Sequence, residues 1–335
     1  MTKDSHGRTI NYLRISVTDR CNLRCIYCMP ENGIIPKAHD EILTYEEILA
    51  LAREAVTMGI SHIRLTGGEP LVRLGLSDLV RELHKIDGLE DISLTTNGIL
   101  LPRYAAELKE AGLDRVNISL DTLDPEIYKT ITRRGELSDV FKGIEAAFEA
   151  GLSPIKLNAV GVRPFIKDPY GFAKLSVERP LHIRFIEYMP IGHSSGVDGQ
   201  GWAAEEAVSS EEIFKQISST AEEHGLGALI PLEEGQAPIG VGPASYYRFE
   251  GAQGTVGFIS PMSRHFCANC NRLRLTSDGK LRPCLFSDAE IDVRDALRRK
   301  DTEGVRAILQ EALKMKPENH EAHNFTQKDM AMIGG

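Results

Sequence analysis

Two alternating rhythms of apolar and polar residues run through the first 190 residues of the chain. Short stretches near 11–17, 62–66, 91–95, 115–120, 155–161 and 182–187 alternate with a period of two, which predicts strands. Segments of helical period separate them. Thr44 and Glu47 form a capping-box signature ahead of Ile48, Leu49, Leu51, Ala52 and Ala55, Pro102 and Pro125 suit the first turn of a helix, and Gly112 and Gly151 suit helix stops. Six strand-then-helix units predict an α/β fold with a parallel sheet, and six units close a barrel only in part.

The two faces of each predicted strand differ in character. Leu13, Ile15 and Val17 share one parity, as do Ile63 with Leu65 and Ile155 with Leu157 and Ala159; these pack under the helices. The opposite parity carries Tyr12, Arg14, Ser16 and Thr18, then His62, Arg64 and Thr66, then Ser93, Thr95 and Asn97. It continues with Asn117, Ser119 and Asp121, with Lys156 and Asn158, and with His182 and Arg184. A closed parallel barrel normally fills its interior with branched aliphatic side chains, so a polar inner face predicts a ligand-filled cavity. The alternative is that some of these strands are edge strands with a solvated face.

Beyond Met189 the rhythm is lost in a Gly/Ser-rich stretch, 192–201, followed by the single tryptophan, Trp202. A helix over 210–217, strands at 245–250 and 254–260, a hairpin turned at Asp278-Gly279 and helices over 292–299 and 302–315 follow. This divides the chain into a partial barrel over 1–225 and a smaller C-terminal region with antiparallel strands over 226–335.

Composition narrows the function. Hydrophobic residues are 42% and charged residues 26% of the 335, as in ordinary globular chains. A net charge of −9 argues against a general nucleic-acid or membrane-surface binder, so an anionic ligand must meet a local basic site. No apolar run approaches the roughly 18 residues of a membrane span, and the polar opening lacks a secretory apolar region, which together predict a cytoplasmic protein.

The six cysteines fall into two triplets, Cys21, Cys25 and Cys28, and Cys267, Cys270 and Cys284. Neither triplet can pair internally without leaving an odd thiol, and cytoplasmic disulfides are disfavoured, so the pattern points to metal. Three thiolates from one short loop suit three corners of an iron-sulfur cubane with one iron open. A structural zinc site is the alternative for both, completed by His39 for the first triplet and by His265 for the second.

Cys21-x3-Cys25-x2-Cys28, with Tyr27 before the last cysteine, and Gly67-Gly68-Glu69-Pro70 after the second strand resemble the radical S-adenosylmethionine superfamily. The second triplet, followed by Asn271-Arg272-Leu273-Arg274-Leu275, and the terminal Gly334-Gly335 resemble its GTP 3',8-cyclase family, and the likeness covers essentially the whole chain. It implies an incomplete (βα)6 TIM-like barrel, two 4Fe-4S clusters on the two triplets, and S-adenosylmethionine as cofactor. It further implies reductive cleavage to a 5'-deoxyadenosyl radical that takes the ribose 3' hydrogen of GTP, giving 3',8-cyclo-7,8-dihydro-GTP in the first step of molybdenum cofactor biosynthesis.

The positions matching the family's cofactor contacts are Tyr27, Gly67, Gly68, Glu69, Ser119 and Met189. Those matching its GTP contacts are Arg14, Arg64, Thr95, Lys156, Arg272 and Arg274, and Arg184 joins them by parity. Arg272, Arg274, Gly334 and Gly335 fall in the catalytic machinery. Where the family usually has a lysine two residues before Arg64, this chain has His62. The resemblance also implies a flavodoxin- or ferredoxin-type electron donor and transfer of product to the cyclic pyranopterin monophosphate synthase, and it allows a homodimer. Two other readings stay open on the residues alone. One is a peptide-modifying maturase, which usually carries more C-terminal cysteines; the other is a zinc-binding interaction module.

Overall fold

The computed structural model describes residues 2–192, 204–233, 235–320 and 328–334, so the expected loop beyond Gly192, Trp202 and the terminal Gly335 lie outside the described residues. Six strands, β1 (Tyr12–Ser16), β2 (His62–Thr66), β3 (Asp91–Thr96), β4 (Arg115–Ser119), β5 (Ile155–Gly161) and β6 (Leu181–Glu187), pair in parallel in chain order. Helices α1 (Tyr45–Thr57), α2 (Leu76–His84), α3 (Leu101–Glu110), α4 (Pro125–Thr132), α5 (Leu137–Glu149) and α6 (Pro169–Glu178) connect them. The local signals act as expected. Thr44 and Glu47 complete a reciprocal capping box, Pro125 opens α4, and Gly112 and Gly151 take positive φ just past α3 and α5.

The remaining elements are α7 (Ser210–Glu223), β7 (Ile230–Pro231), β8 (Ser245–Arg248), β9 (Thr255–Ile259), β10 (Arg272–Leu275), β11 (Lys280–Arg282), β12 (Ile291–Asp292), α8 (Arg294–Arg298), α9 (Thr302–Lys314) and α10 (Met330–Ile333). Helix α7 outruns its expected end at 217 because Ile213, Ile217 and Ala221 keep burying one face at helical spacing. All the strands belong to one sheet, ordered β12-β11-β10-β1-β2-β3-β4-β5-β6-β9-β8-β7. β10 adds in parallel beside β1 and β9 in parallel beside β6, so strands from both sides of residue 225 share one sheet. Among the described residues the antiparallel pairings between these strands are β7 with β8, β8 with β9, β10 with β11 and β11 with β12.

The β10–β11 hairpin turns over four residues, not two. Leu275 faces Leu281, the Gly279 N–H donates to the Thr276 carbonyl, and Gly279 alone in that turn has positive φ. A two-residue turn of the kind Asp-Gly favours needs positive φ at both residues.

Leu13, Ile15, Val17, Ile63, Leu65 and Leu157 are all 0% exposed in the main apolar core. The opposite face is buried as well, with Ser93 and Asn117 at 0%, Lys156 at 3% and Arg184 at 4%. Every strand from β1 to β6 has a neighbour on both sides, which excludes the solvated-edge explanation. The polar face lines the inside of the curved sheet.

Helix α5 packs against the loop after β3 through Gly143, where an added Cβ would lie 2.1 Å from the Gly98 carbonyl oxygen. In an exposed helix, Gly→Ala stabilises by about 1 kcal/mol. Here the sign reverses: Gly143→Ala is expected to lower stability by about 1–3 kcal/mol in chemical denaturation, because the backbone of that loop must move.

Candidate active site

The loop after β1 carries the first triplet. The Cys25 carbonyl accepts from the N–H groups of Cys28 and Met29 at 2.9 and 3.1 Å, a tight turn that sets two of the cysteines side by side. Arg24 donates from Nη1 to the carbonyls of Cys21 and Leu23, both at 2.7 Å, and Arg133 donates to the Arg24 carbonyl at 3.0 Å. The segment after β2 then runs alongside the entry to this loop. The Gly68 N–H donates to the Thr18 carbonyl and the Glu69 N–H to the Arg20 carbonyl, both at 2.8 Å. A Cβ on Gly67 would lie 2.6 Å from the Thr18 oxygen and one on Gly68 2.4 Å from the Arg20 oxygen. The two glycines, expected as cofactor contacts, therefore let one piece of backbone approach another.

Glu69 accepts from the Leu71 N–H, the Thr96 hydroxyl and the Asn97 N–H at 3.1, 2.8 and 2.7 Å, yet burial pushes its carboxyl up to about 7. Tyr27 donates to Asp121 at 2.7 Å, and burial raises Asp121 to about 6. Ser119 ends β4 two residues before Asp121, and Met189 packs on a second apolar cluster of Ile191, Phe286 and Ile333.

The second triplet flanks β10 and β11. Cys267 opens a short 3-10 turn whose carbonyl accepts from the Cys270 N–H at 3.1 Å, and Cys284 follows β11. The histidine beside this triplet is His320, whose Nδ1 lies 3.6 Å from the Cys267 sulfur. His265, the expected zinc partner, donates from Nδ1 to the Pro261 carbonyl and sets its ring edge-on to His320. His39 is exposed on the surface.

All six cysteines are free and partly buried. Among the described residues no three His, Cys, Asp or Glu side chains converge on a point that would hold one metal ion. The donor set of each triplet, three cysteine thiols, fits a cubane, in which each of three cysteines binds a different iron. Burial raises the Cys21 thiol to about 11 and Cys28 to about 12, and it holds Cys25 well above the ordinary thiol value. Thiols in that state become ligands only where bound cations draw off their protons. At Cys270 burial acts in the same direction, but the charges of Lys316 and Arg272 outweigh it and bring the thiol down to about 6.

Between the triplets lies a cationic interior. Arg14 sits in register between Arg64 and Arg274, and Lys156 lies beside Asn117 on one strand and His182 on the other. Arg184 donates to Asn158 at 2.9 Å and to Asn117 at 2.7 Å, and Arg64 donates to Ser93 at 3.2 Å. Lys156 donates to the Ile239 carbonyl at 2.6 Å. Burial and the charges of Arg184, Arg115 and Arg64 lower Lys156 to about 6; burial and Lys156 lower His182 to about 4. Burial likewise lowers Arg14, Arg64, Arg184 and Arg274, although arginine keeps its proton even so. His62 instead pairs its ring with the Ser61 hydroxyl at 2.8 Å.

Two cations of this interior, Arg115 and Arg248, are not among the expected contacts. Arg115, 1% exposed, holds Asp91 through two parallel bonds of 2.7 Å and leaves its buried Nη1 without a hydrogen-bond partner. Arg248 likewise has a buried, unpartnered Nε and acts electrostatically on His182. Thr95 Oγ1, an expected contact, is also buried without a partner. The parity of Asn117 applied one turn of the pleat earlier would have found Arg115.

The C-terminal tail enters this interior, contrary to the frayed end that composition alone predicts. The Gly334 carbonyl accepts from Thr66 Oγ1 at 3.1 Å and from Arg274 at 3.4 Å, and the Ala331 N–H donates to the Cys28 sulfur. Met330 and Met332 pack in the apolar cluster that also touches Cys284. The tail thus reaches residues of both triplets.

Residues 15–170 match the Radical SAM superfamily and residues 181–322 match Molybdenum Cofactor Synthesis C. Among solved structures, Streptococcus suis SuiB bound to S-adenosylmethionine superposes with a TM-score of 0.58 at 13% identity, over 90% of this chain and 68% of that one. His-tagged anSMEcpe with bound AdoMet gives 0.58 at 17% identity, over 92% and 78%. These likenesses establish the fold alone: a three-cysteine loop at the end of the first strand of a partial parallel barrel, the radical S-adenosylmethionine fold. The GTP 3',8-cyclase of Moorella thermoacetica is 53% identical over 338 positions, covering 99% of this chain and 100% of the relative. That of Pelotomaculum thermopropionicum is 51% identical over 337, with the same coverage. The chain belongs to the GTP 3',8-cyclase family.

The lowered lysine has a measurable consequence. A polyanion bound among these cations favours protonated Lys156, so binding of inorganic triphosphate is expected to take up a proton between about pH 6 and the ordinary lysine value of 10.5. The Lys156 contribution to affinity is then fully present below about pH 6 and is lost as pH rises. Calorimetry in buffers of different ionisation enthalpy reads the uptake, which Lys156→Met should abolish.

Proposed function

We propose that this chain is a GTP 3',8-cyclase acting in the first step of molybdenum cofactor biosynthesis. The observation that carries the reading is the conjunction, in one interior, of two separate three-cysteine sites and a lining of arginine and lysine. When bound, a 4Fe-4S cluster on Cys21, Cys25 and Cys28 with S-adenosylmethionine supplies the 5'-deoxyadenosyl radical for conversion of GTP to 3',8-cyclo-7,8-dihydro-GTP. A second 4Fe-4S cluster belongs on Cys267, Cys270 and Cys284.

The chain's own work is to bind, orient and exclude water. Arg14, Arg64, Lys156 and Arg184 hold the triphosphate, joined by Arg115 and Arg248, and Thr95 adds a hydroxyl. Arg272 and Arg274, which adjoin the second triplet, orient the nucleotide there. Gly67, Gly68 and Glu69 present backbone and carboxylate to S-adenosylmethionine, with Tyr27, Ser119 and Met189 around it. The tail through Gly334 closes the interior over Thr66 and Arg274.

The partners follow from the same reading. A cavity of about 410 Å³ lined by Asp19, Arg20, Cys21, Arg24 and Ile34 opens beside the first triplet. Its arginines and the 93% exposed Ile35 suit an acidic electron carrier of flavodoxin or ferredoxin type. The product passes to the cyclic pyranopterin monophosphate synthase, and the chain works in the cytoplasm. Among the described residues no helix is long and apolar enough to cross a membrane.

Anaerobically reconstituted protein, incubated with S-adenosylmethionine and a strong reductant, is expected to release deoxyadenosine only when GTP is present. Release independent of GTP, or a colourless zinc-loaded protein, would sink the assignment. Arg115→Lys keeps a cation for Asp91 but loses the unpartnered nitrogen, and should weaken GTP binding about tenfold, roughly one charge-assisted hydrogen bond. Equilibrium binding of GTP to the reconstituted variant checks this.

A further inference from the structure

The segment that follows α9 carries a buried lysine that neither the nucleotide nor the S-adenosylmethionine contacts use. Lys316 is 3% exposed. Its ammonium has three acceptors in reach, the carbonyls of Arg272 and Pro283, each at 2.8 Å, and the sulfur of Cys270 at 3.3 Å. Three acceptors match the three protons of an ammonium, and none of them is a carboxylate. The negative charges that act on it are the sulfurs of Cys270 and Cys284, two of the three cysteines of the second triplet.

This placement is built from both ends of the chain. Arg8 donates to the carbonyls of Pro317 at 2.6 Å and Glu318 at 2.9 Å, and also to the Cys267 carbonyl at 2.8 Å. One guanidinium therefore ties the segment bearing Lys316 to the turn bearing the first cysteine of the triplet. Asp4 fixes that guanidinium through its Nε at 2.5 Å, with side-chain exposures of 7% and 0%. The His6 ring donates to the Lys316 carbonyl at 3.1 Å. Farther along the same segment, His320 brings its ring nitrogen to the Cys267 sulfur.

Hydrogen bonds to the sulfurs of an iron-sulfur cluster, and positive charge near them, stabilise the added electron. We propose that Lys316 is a positioning residue that raises the reduction potential of the cluster held by Cys267, Cys270 and Cys284, through a charged hydrogen bond to the Cys270 sulfur. The proposal rests on the reading of the second triplet as a cluster site.

The test is a redox titration of the anaerobically reconstituted full chain, followed by electron paramagnetic resonance, with the N-terminal cluster as internal reference. Lys316→Gln keeps a donor and removes the charge; Lys316→Met removes both. The midpoint potential of the second cluster should fall in both variants, further in Lys316→Met, while that of the first cluster stays where it is. An unchanged second potential in variants that hold iron and sulfide for two cubanes overturns the proposal, as does an equal shift of both clusters. Should neither variant assemble the second cluster, wild-type protein labelled with 15N-lysine provides the test. Pulsed resonance on its reduced second cluster should show coupling to a lysine nitrogen, and absence of that coupling overturns the proposal. Wild-type protein holding iron for a single cubane would instead overturn the cluster reading itself, before any variant is made.

Discussion

The rest of the structure depends on holding many like charges on the inner face of one curved sheet. Strands lie about 5 Å apart, and two unit charges at that distance repel by about 3 kcal/mol at an effective dielectric of 20. Arg64, Lys156, Arg184, Arg272 and Arg274 form no salt bridge with a carboxylate among the described residues, and Arg115 with Asp91 is the pair that does fall in this lining. Neutral groups carry most of the burden: Ser93 accepts from Arg64, and Asn117 and Asn158 accept from Arg184. The fully buried aliphatic face behind them provides the offsetting stability. Such an interior is costly to keep and correspondingly ready for a polyanion.

The two cysteine sites are set by backbone as much as by side chains. Gly67 and Gly68 lock the end of β2 to the entry of the first cysteine loop, and Arg24 and Arg133 hold that loop by its carbonyls. At the second site Arg8 does the same work from the N-terminal end of the chain. Both chain ends are thus part of the site, since α10 follows with its N–H at Cys28 and its Gly334 carbonyl at Thr66. Radical chemistry needs a place closed to water, and packing both termini against the interior is a way to close it.

Much of this was legible before any coordinates. Strands β1 to β6 lie within a residue or two of where the period of two placed them, because alternation is a local property that the pleat reads directly. The polar parity of those strands identified Arg14, Arg64, Lys156 and Arg184 as one lining. The three-plus-three cysteine arithmetic pointed to metal. Less legible were the edges. That β9 and β10 would join the barrel in parallel depends on pairing between residues more than 70 apart, as Ile183 with Val256 or Arg14 with Arg274, and no local pattern encodes it.

What the sequence by itself determined is therefore the kind of surface each element presents: aliphatic on one side, cationic and hydroxylic on the other, with thiols at two loops. Local period and side-chain chemistry suffice for that. Only the tertiary structure decided which groups meet. It set Gly68 against the Arg20 carbonyl, left Arg115 Nη1 buried without a partner, brought Lys156 to the Ile239 carbonyl and placed Lys316 on the Cys270 sulfur. The three contacts among these join separate parts of the chain, and the unpartnered nitrogen is left by the packing around it. Their distances follow from the curvature of the sheet and the packing of both chain ends, which arise only when the whole core forms at once.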